Sequence, residues 1–214
     1  MNNTQTIGWP KIGWVVMAAL ALASGFWGIY VAVAHDSIPG NDWSRMFGIP
    51  AIGLAHTIGG GVASIIGPFQ FLGSVRRRYR ALHVWLGRSY LLAVGLSGLA
   101  GLYLSPGSLA ANTFGVAFVA LALAWLYTGW QAYATIRRGD VAAHRRWMIR
   151  NFALTYAAVT LRIEMPLLVF AGMDPILALN VVGWTCWIPN LIAVEWWLGR
   201  GRKPVSRHAA PAAG

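Results

Sequence analysis

Six apolar stretches, each long enough to cross a lipid bilayer, make up most of this chain. A membrane-spanning helix needs about 20 consecutive apolar residues. Hydrophobic residues account for 57% of the 214 residues and charged residues for 11%, which leaves too little polar surface for a soluble globule. We therefore predict an all-α, polytopic transmembrane helix bundle with six spans at residues 12–34, 47–72, 82–104, 114–136, 148–171 and 175–198.

Basic residues are concentrated in the second connection, the fourth connection and the C-terminal segment. The other connections carry Asp36, Asp42 and Asp174 against a single basic residue, Arg45. Basic connections normally stay on the cytoplasmic side of a membrane. The pattern predicts that both termini are cytoplasmic and that the protein is a multi-pass protein of the bacterial inner membrane.

The chain is predicted to form one membrane domain over residues 1–206, with its core at 47–198 and a mobile tail at 207–214. The formal net charge of +11 comes mainly from arginines beside the spans. Such arginines set the topology and contact anionic lipid headgroups, so we predict no nucleic-acid partner. The single cysteine, Cys186, lies within the sixth span. It excludes an intramolecular disulfide and a cysteine-based metal cluster, and is predicted to be a buried packing residue.

The fifth span carries a polar stripe along one helical face. At 100° per residue, His144, Asn151, Thr155 and Arg162 fall within about 40° of one another. Polar groups within the membrane are costly and are functional candidates by default. This stripe must face protein or water, not lipid.

Arg162 and His56 are predicted at equal depth, each roughly 14 Å below the outer end of its span, so that they are able to meet. Glu164 is one turn shallower and is the nearest carboxylate able to neutralise Arg162. Two interpretations stay open, a structural Arg–Glu–His brace or a substrate-binding polar cluster. Asn190 follows Pro189 in the sixth span, where a break in the helix would free backbone carbonyls.

His83 and His144 lie at matching depth near the cytoplasmic face and form a candidate axial pair for one haem b. Arg88 and Arg150 would then neutralise the haem propionates. His56 has no histidine partner at its level and would bind haem only with a different second ligand. Alternatively, the interfacial histidines only hydrogen-bond headgroups or cap helices. No other metal site is predicted.

The second and third spans carry stripes of small and polar residues. Gly59, Ala63 and Gly67 form a ridge of small residues that favours close helix packing. Alternatively, the glycines leave room beside His56 for a flat cofactor. On the third span, polar and small residues recur at helical spacing from His83 through Tyr90 and Ser97 to Gly101.

From His56 to Glu195 the chain resembles a bacterial family of predicted membrane proteins, domain of unknown function 2306. The resemblance rests on His56 with Gly67-Pro68-Phe69-Gln70-Phe71, His83 with Gly87-Arg88-Ser89-Tyr90, Gly139-Asp140 with His144-Arg145-Arg146-Trp147-Met148-Ile149-Arg150, Leu161-Arg162, and Trp187-Ile188-Pro189-Asn190 with Glu195. It implies a multi-span helical fold but no reaction. Some features are also similar to cytochrome b561-type haem proteins, although this chain lacks the four evenly placed histidines of two-haem members.

Three functional hypotheses follow. The first is a redox-type bundle that binds one haem b or a quinone and meets a redox partner. The second is a binding or transport module for a small polar or anionic substrate, with Arg162 as the counter-charge. The third is a structural subunit of a membrane complex. Self-association and enzymatic activity are left open, and no catalytic residue is identified.

Overall fold

The computed structural model describes residues 11–34, 49–105 and 113–200. Within these ranges all regular secondary structure is α-helical and no strand occurs, as predicted. The helices of the described ranges are α1 (Lys11–Val33), α2 (Pro50–Gln70), α3 (Gly73–Arg78), α4 (Arg80–Leu104), α5 (Thr113–Arg137), α6 (Val141–Thr155), α7 (Ala157–Phe170), α8 (Pro175–Thr185) and α9 (Ile188–Arg200).

Within the described ranges, five helical segments are long and apolar enough to cross a membrane. Helix α4 is also long, at 25 residues, but less apolar, because it includes Arg88, Ser89 and several glycines. The first predicted connection, at 35–46, and the predicted tail at 207–214 lie outside the described residues. The five segments are Lys11–Val33, Pro50–Gln70, Phe114–Arg137, Val141–Phe170, which combines α6 with α7, and Pro175–Arg200, which combines α8 with α9.

Helix α4 packs between α2 and α5, while α1 packs on α2 and α6 packs on α5. Glycines on α2 permit the close approach. A Cβ added at Gly59 would lie 2.9 Å from the Cβ of Ser97, and one at Gly67 would lie 2.3 Å from the ring of Phe152. The ridge of small residues predicted on the second span therefore packs against α4 and α6.

Two of the long helical segments are irregular. The sixth predicted span breaks at residues 186–187, because Pro189 lacks the N–H that would bond to the carbonyl of Thr185. This confirms the break expected next to Asn190. The fifth predicted span is only locally distorted at Tyr156, between α6 and α7, because the backbone there stays in the right-handed helical region and the N–H of Thr160 still donates to the Tyr156 carbonyl at 3.1 Å. No proline or glycine marks this distortion, so the sequence pattern did not predict it.

Candidate functional site

A chain of hydrogen bonds crosses the core from α4 through α6 to α5. The Tyr90 hydroxyl donates to Asn151 Oδ1 at 2.7 Å and lies 2.7 Å from the hydroxyl of Thr155. Asn151 Nδ2 donates to the carbonyl of Trp125 at 2.7 Å and to the hydroxyl of Thr128 at 2.9 Å. Trp125 Nε1 donates to the Thr155 hydroxyl at 2.9 Å. We call these five residues the core network.

Every polar atom of the Asn151 side chain is used in the core network, and the residue is fully buried. Thr155 is only 4% exposed. The predicted polar stripe of the fifth span therefore faces protein at Asn151 and Thr155. Buried polar groups that are fully hydrogen-bonded hold helices in one arrangement. The core network is thus a structural junction of three helices.

Next to the core network lies a cavity of about 1000 Å³, which we call the outer cavity. At one end it reaches Ile49 before α2, Ser105 after α4 and Phe114 at the start of α5. At the other end it reaches Trp125 and Thr155, so that the core network forms its floor. The predicted topology assigns the first of these ends to the outer side of the membrane.

His56 lines the outer cavity and is clamped to α4 by two reciprocal hydrogen bonds. Its Nδ1 lies 2.9 Å from the carbonyl oxygen of Ser97, and the Ser97 hydroxyl donates to the His56 carbonyl at 2.7 Å. Because a carbonyl can only accept, Nδ1 carries a proton. A Cβ at Gly101 would lie 3.1 Å from Nδ1, so that the glycine makes room for the ring. The other ring nitrogen, Nε2, is then available to a ligand.

Arg162 lines the same cavity, within electrostatic range of His56. Its Nη1 donates to the carbonyl of Ala158 at 2.8 Å, and its side chain is exposed. A Cβ at Gly28 of α1 would lie 3.3 Å from Nη2, so Gly28 leaves space for the guanidinium. The prediction from depth that Arg162 and His56 share one location is confirmed.

Glu164, the nearest carboxylate along the span, does not pair with Arg162 in the structure. Glu164 instead accepts a hydrogen bond from the hydroxyl of Thr185 on α8 at 2.7 Å. The reason is geometric, because a two-residue offset points the side chains to different sides of α7. Among the residues that the structure describes, no carboxylate pairs with Arg162, so the Arg–Glu–His brace is not formed there.

Asn190 closes the helix break rather than facing the cavity. Its Nδ2 donates to the carbonyl of Cys186 at 2.9 Å and to the hydroxyl of Thr160 at 3.0 Å. The amide therefore satisfies a carbonyl in the break and ties α9 to α7. Cys186 is buried, as predicted, and lines the cavity.

His83 and His144 lie close enough to interact electrostatically. His144 Nδ1 lies 2.8 Å from the carbonyl of Ala132, which leaves its Nε2 available. His83 Nδ1 is buried and has no hydrogen-bond partner among the described residues. Neither histidine lines the outer cavity.

The arginines predicted to bind haem propionates differ in their surroundings. Arg150 forms a bidentate pair with Glu195, in which Nε donates to Oε1 and Nη2 donates to Oε2 at 2.8 Å. It also lies over the ring of Trp147, 4.8 Å from the centroid. Arg150 is therefore engaged by Glu195 and Trp147, and its role toward a haem propionate stays a prediction. Arg88 is exposed.

Sequence reasoning missed the cavity wall and part of the core network. Trp125 is the clearest omission, because it both donates to Thr155 and lines the cavity. A signal was present, since Trp125 lies in the middle of its span whereas membrane tryptophans are enriched at the interfaces. Gly28 had no such signal, because glycine is common in transmembrane helices.

The apolar helical segments, the satisfied polar core and the cavity beside it define a polytopic helical membrane protein with a ligand-sized space within the bundle. Residues 53–198, more than half of the chain, match the family described as "Predicted membrane protein (DUF2306)", and the chain belongs to this family. The resemblance seen in the sequence motifs is thereby confirmed. No curated protein and no solved structure matches the chain.

Proposed function

We propose that this protein binds a small anionic molecule with an apolar body in the outer cavity, and that Arg162 is the counter-charge. The observation that carries the proposal is a guanidinium group exposed to a cavity of about 1000 Å³ and without a carboxylate partner among the described residues. A charge within the membrane is costly unless it is paired or solvated. An anionic ligand would compensate it.

The walls of the cavity indicate the rest of the ligand. Phe118, Leu121 and Leu161 contribute apolar surface, and Trp125 contributes an aromatic face at the floor. Ligand sites are commonly apolar clefts of about 300–1,000 Å³ with a few convergent polar groups. Here those groups are the Arg162 guanidinium and Nε2 of His56, which suit a carboxylate or a comparable anion on an apolar or aromatic body.

The proposed setting is a six-span bundle in the bacterial inner membrane, with α4 as the additional span and both termini in the cytoplasm. In this orientation the outer cavity begins on the side away from the cytoplasm. Transporters commonly place their sites at interrupted helices near the middle of the membrane. The interruption at residues 186–187 lies beside the cavity residue Cys186, which supports transport as an extension of binding.

The test compares charged and neutral forms of the same molecule. Purified protein in lipid nanodiscs is titrated calorimetrically with a panel of aromatic and medium-chain monocarboxylates and with their primary amides. We expect the wild type to prefer at least one carboxylate over its amide by about tenfold or more, and Arg162→Gln to abolish that preference. Arg137→Gln, which removes an equal charge at the remote end of α5, should retain it. A preference that is absent in the wild type, or kept in Arg162→Gln, overturns the proposal.

Redox cofactor binding is the second candidate. A quinone would be a neutral occupant of the outer cavity, held by Arg162 and His56, and would appear as binding that does not depend on charge. One haem b is supported by the proximity of His83 to His144 and by the unpartnered nitrogen of His83. These residues fit such a group only in part, because Arg150 is paired with Glu195. Oxidised and reduced absorption spectra of protein expressed with added haem, repeated for His83→Ala and His144→Ala, decide this candidate.

A further inference from the structure

The start of α4 carries charge of the wrong sign for a helix N-terminus. A helix begins with unpaired N–H groups and a partial positive charge, which favour acidic residues and side-chain caps. Helix α4 begins at Arg80, has no acidic residue in its first turn and receives no side-chain cap. The preceding turn, the end of α3, consists of Arg76, Arg77 and Arg78. By contrast, Asp140 caps α6 by accepting a hydrogen bond from the backbone N–H of Ala143 at 2.8 Å.

More basic side chains converge on this end of the bundle. Arg76 is within electrostatic range of Arg145 at the start of α6, and His83 is within range of both Arg76 and His144. Desolvation, followed by the charges of Arg145 and Arg77, lowers the pKa of Arg76. We call Arg76, His83, His144 and Arg145 the inner basic cluster. Each described acidic residue has another role, since Asp140 and Asp174 cap α6 and α8, Glu164 accepts from Thr185, and Glu195 pairs with Arg150.

Two buried polar atoms without hydrogen-bond partners lie in the seam between α2 and α4. They are Nε2 of Gln70, a residue only 6% exposed, and Nδ1 of His83. A Cβ at Gly87 would lie 3.3 Å from Oε1 of Gln70. Gly87 follows His83 by one helical turn, so the Gln70 side chain packs against the same face of α4 that carries His83. Buried polar atoms in native proteins are nearly always hydrogen-bonded, which makes two orphans in one seam an indication of a missing partner.

We propose that the inner basic cluster binds a phosphate group at the cytoplasmic end of the bundle, between α2, α4 and α6. Arg76 and Arg145, which are within electrostatic range of each other, provide the charge. Gln70 Nε2 and His83 Nδ1 donate from the buried side. Phosphate suits this set because it offers several acceptor oxygens to donors that approach from different directions. Its source is the headgroup of an anionic phospholipid of the inner leaflet or soluble phosphate.

This site is separate from the outer cavity and does not depend on the ligand proposed there. It also violates local helix-charge preferences, and such violations are expected where a sequence serves a function rather than folding. Arginine beside a membrane also attracts anionic lipid without any built site. The experiment must therefore distinguish a specific phosphate-binding site from general attraction of anionic lipid to surface charge.

The test measures phospholipid retention by native mass spectrometry. Full-length protein is purified from phosphatidylcholine nanodiscs containing phosphatidylglycerol, and bound lipid is counted after detergent release. Arg145→Gln and, separately, Gln70→Leu should lower phosphatidylglycerol retention by about tenfold, the effect of losing one charge-assisted hydrogen bond of about 1.4 kcal/mol. Arg138→Gln, which removes an equal charge from the adjacent connection, should change it less than about twofold.

A parallel titration with inorganic phosphate distinguishes the two sources. Binding of inorganic phosphate that is lost in Arg145→Gln, without lipid retention, supports the site with a soluble ligand. Equal losses in Arg138→Gln and Arg145→Gln overturn the proposal, because they indicate surface charge alone. Because Gln70→Leu alters a buried position, Arg145→Gln carries the test if the other variant fails to fold. Neither phosphate nor phosphatidylglycerol binding in the wild type also overturns it.

Discussion

The core network and the outer cavity are neighbouring polar regions that share Trp125 and Thr155, yet they differ in how their polar atoms are satisfied. In the core network, both ends of the Asn151 amide on α6 have partners, Tyr90 on α4 and Trp125 and Thr128 on α5. In the cavity, Arg162 bonds to a carbonyl of its own helix and approaches Gly28 of α1, and no described carboxylate pairs with it. The presence of polar residues in a membrane bundle therefore does not locate a binding site. Polar groups whose hydrogen-bonding capacity is unused locate it.

The largest effect is expected from removing the centre of the core network. Asn151→Ala deletes three hydrogen bonds and leaves a small void, and we expect it to lower the free energy of unfolding by about 2–4 kcal/mol. Titration with SDS, followed by circular dichroism, measures this change. A loss below about 1 kcal/mol would show that the network does not act as a structural junction.

The second prediction concerns the close packing of α2 against α6 at Gly67. Gly67→Ala would place a Cβ 2.3 Å from the ring of Phe152, and we expect a loss of about 1–3 kcal/mol from overpacking. The matched control is Gly95→Ala on α4, where no atom lies within 4 Å of the added Cβ. There the better helix propensity of alanine should leave stability unchanged or raise it by up to about 1 kcal/mol. Equal effects at the two positions would contradict the close packing.

A smaller effect is expected where the two regions meet. Ser97→Ala removes the hydroxyl that donates to the His56 carbonyl but keeps the bond from Nδ1 to the Ser97 backbone. Interhelical polar contacts in membranes average about 0.6 kcal/mol, and we expect a loss of that size in the SDS titration. Ligand binding in the outer cavity should persist, because His56 stays in place. Loss of binding with no change in stability would assign Ser97 to the ligand site instead.

The smallest effect on stability is predicted for Arg162→Gln. Because no described carboxylate pairs with Arg162, its removal leaves no buried charge unpaired. Stability should stay within about 0.5 kcal/mol of the wild type. A variant that retains stability but loses the preference for carboxylates sharpens the contrast with Asn151→Ala. A loss above about 2 kcal/mol would place Arg162 among the structural residues.

Helical periodicity predicted which polar residues share a helix face and at what depth they lie. It gave the inward stripe of Asn151 and Thr155 and the common location of His56 and Arg162, because depth and azimuth follow from residue spacing alone. The helical membrane class followed from length and composition. These features depend on one helix at a time.

Features that depend on the order and rotation of neighbouring helices were not predictable in the same way. Glu164 bonds to Thr185, and Arg150 bonds to Glu195, because α7 faces α8 at one position and α6 faces α9 at the other. Nothing in the pattern of a single span specifies such neighbours. The outer cavity is likewise a property of several helices together, and no span shows it alone.

The glycines that bring α4 close to its neighbours have a consequence for biogenesis. A Cβ at Gly98 would lie 2.7 Å from the side chain of Leu126 on α5, so close packing there requires glycine. Glycine also contributes little to the transfer of a helix from the translocon into lipid. In the six-span arrangement that we propose, α4 is the helix least able to enter the bilayer alone. Glycosylation mapping of truncated chains should find α4 uninserted until α5 has been synthesised. The helix at the centre of the bundle would then enter the membrane only together with the helix that follows it.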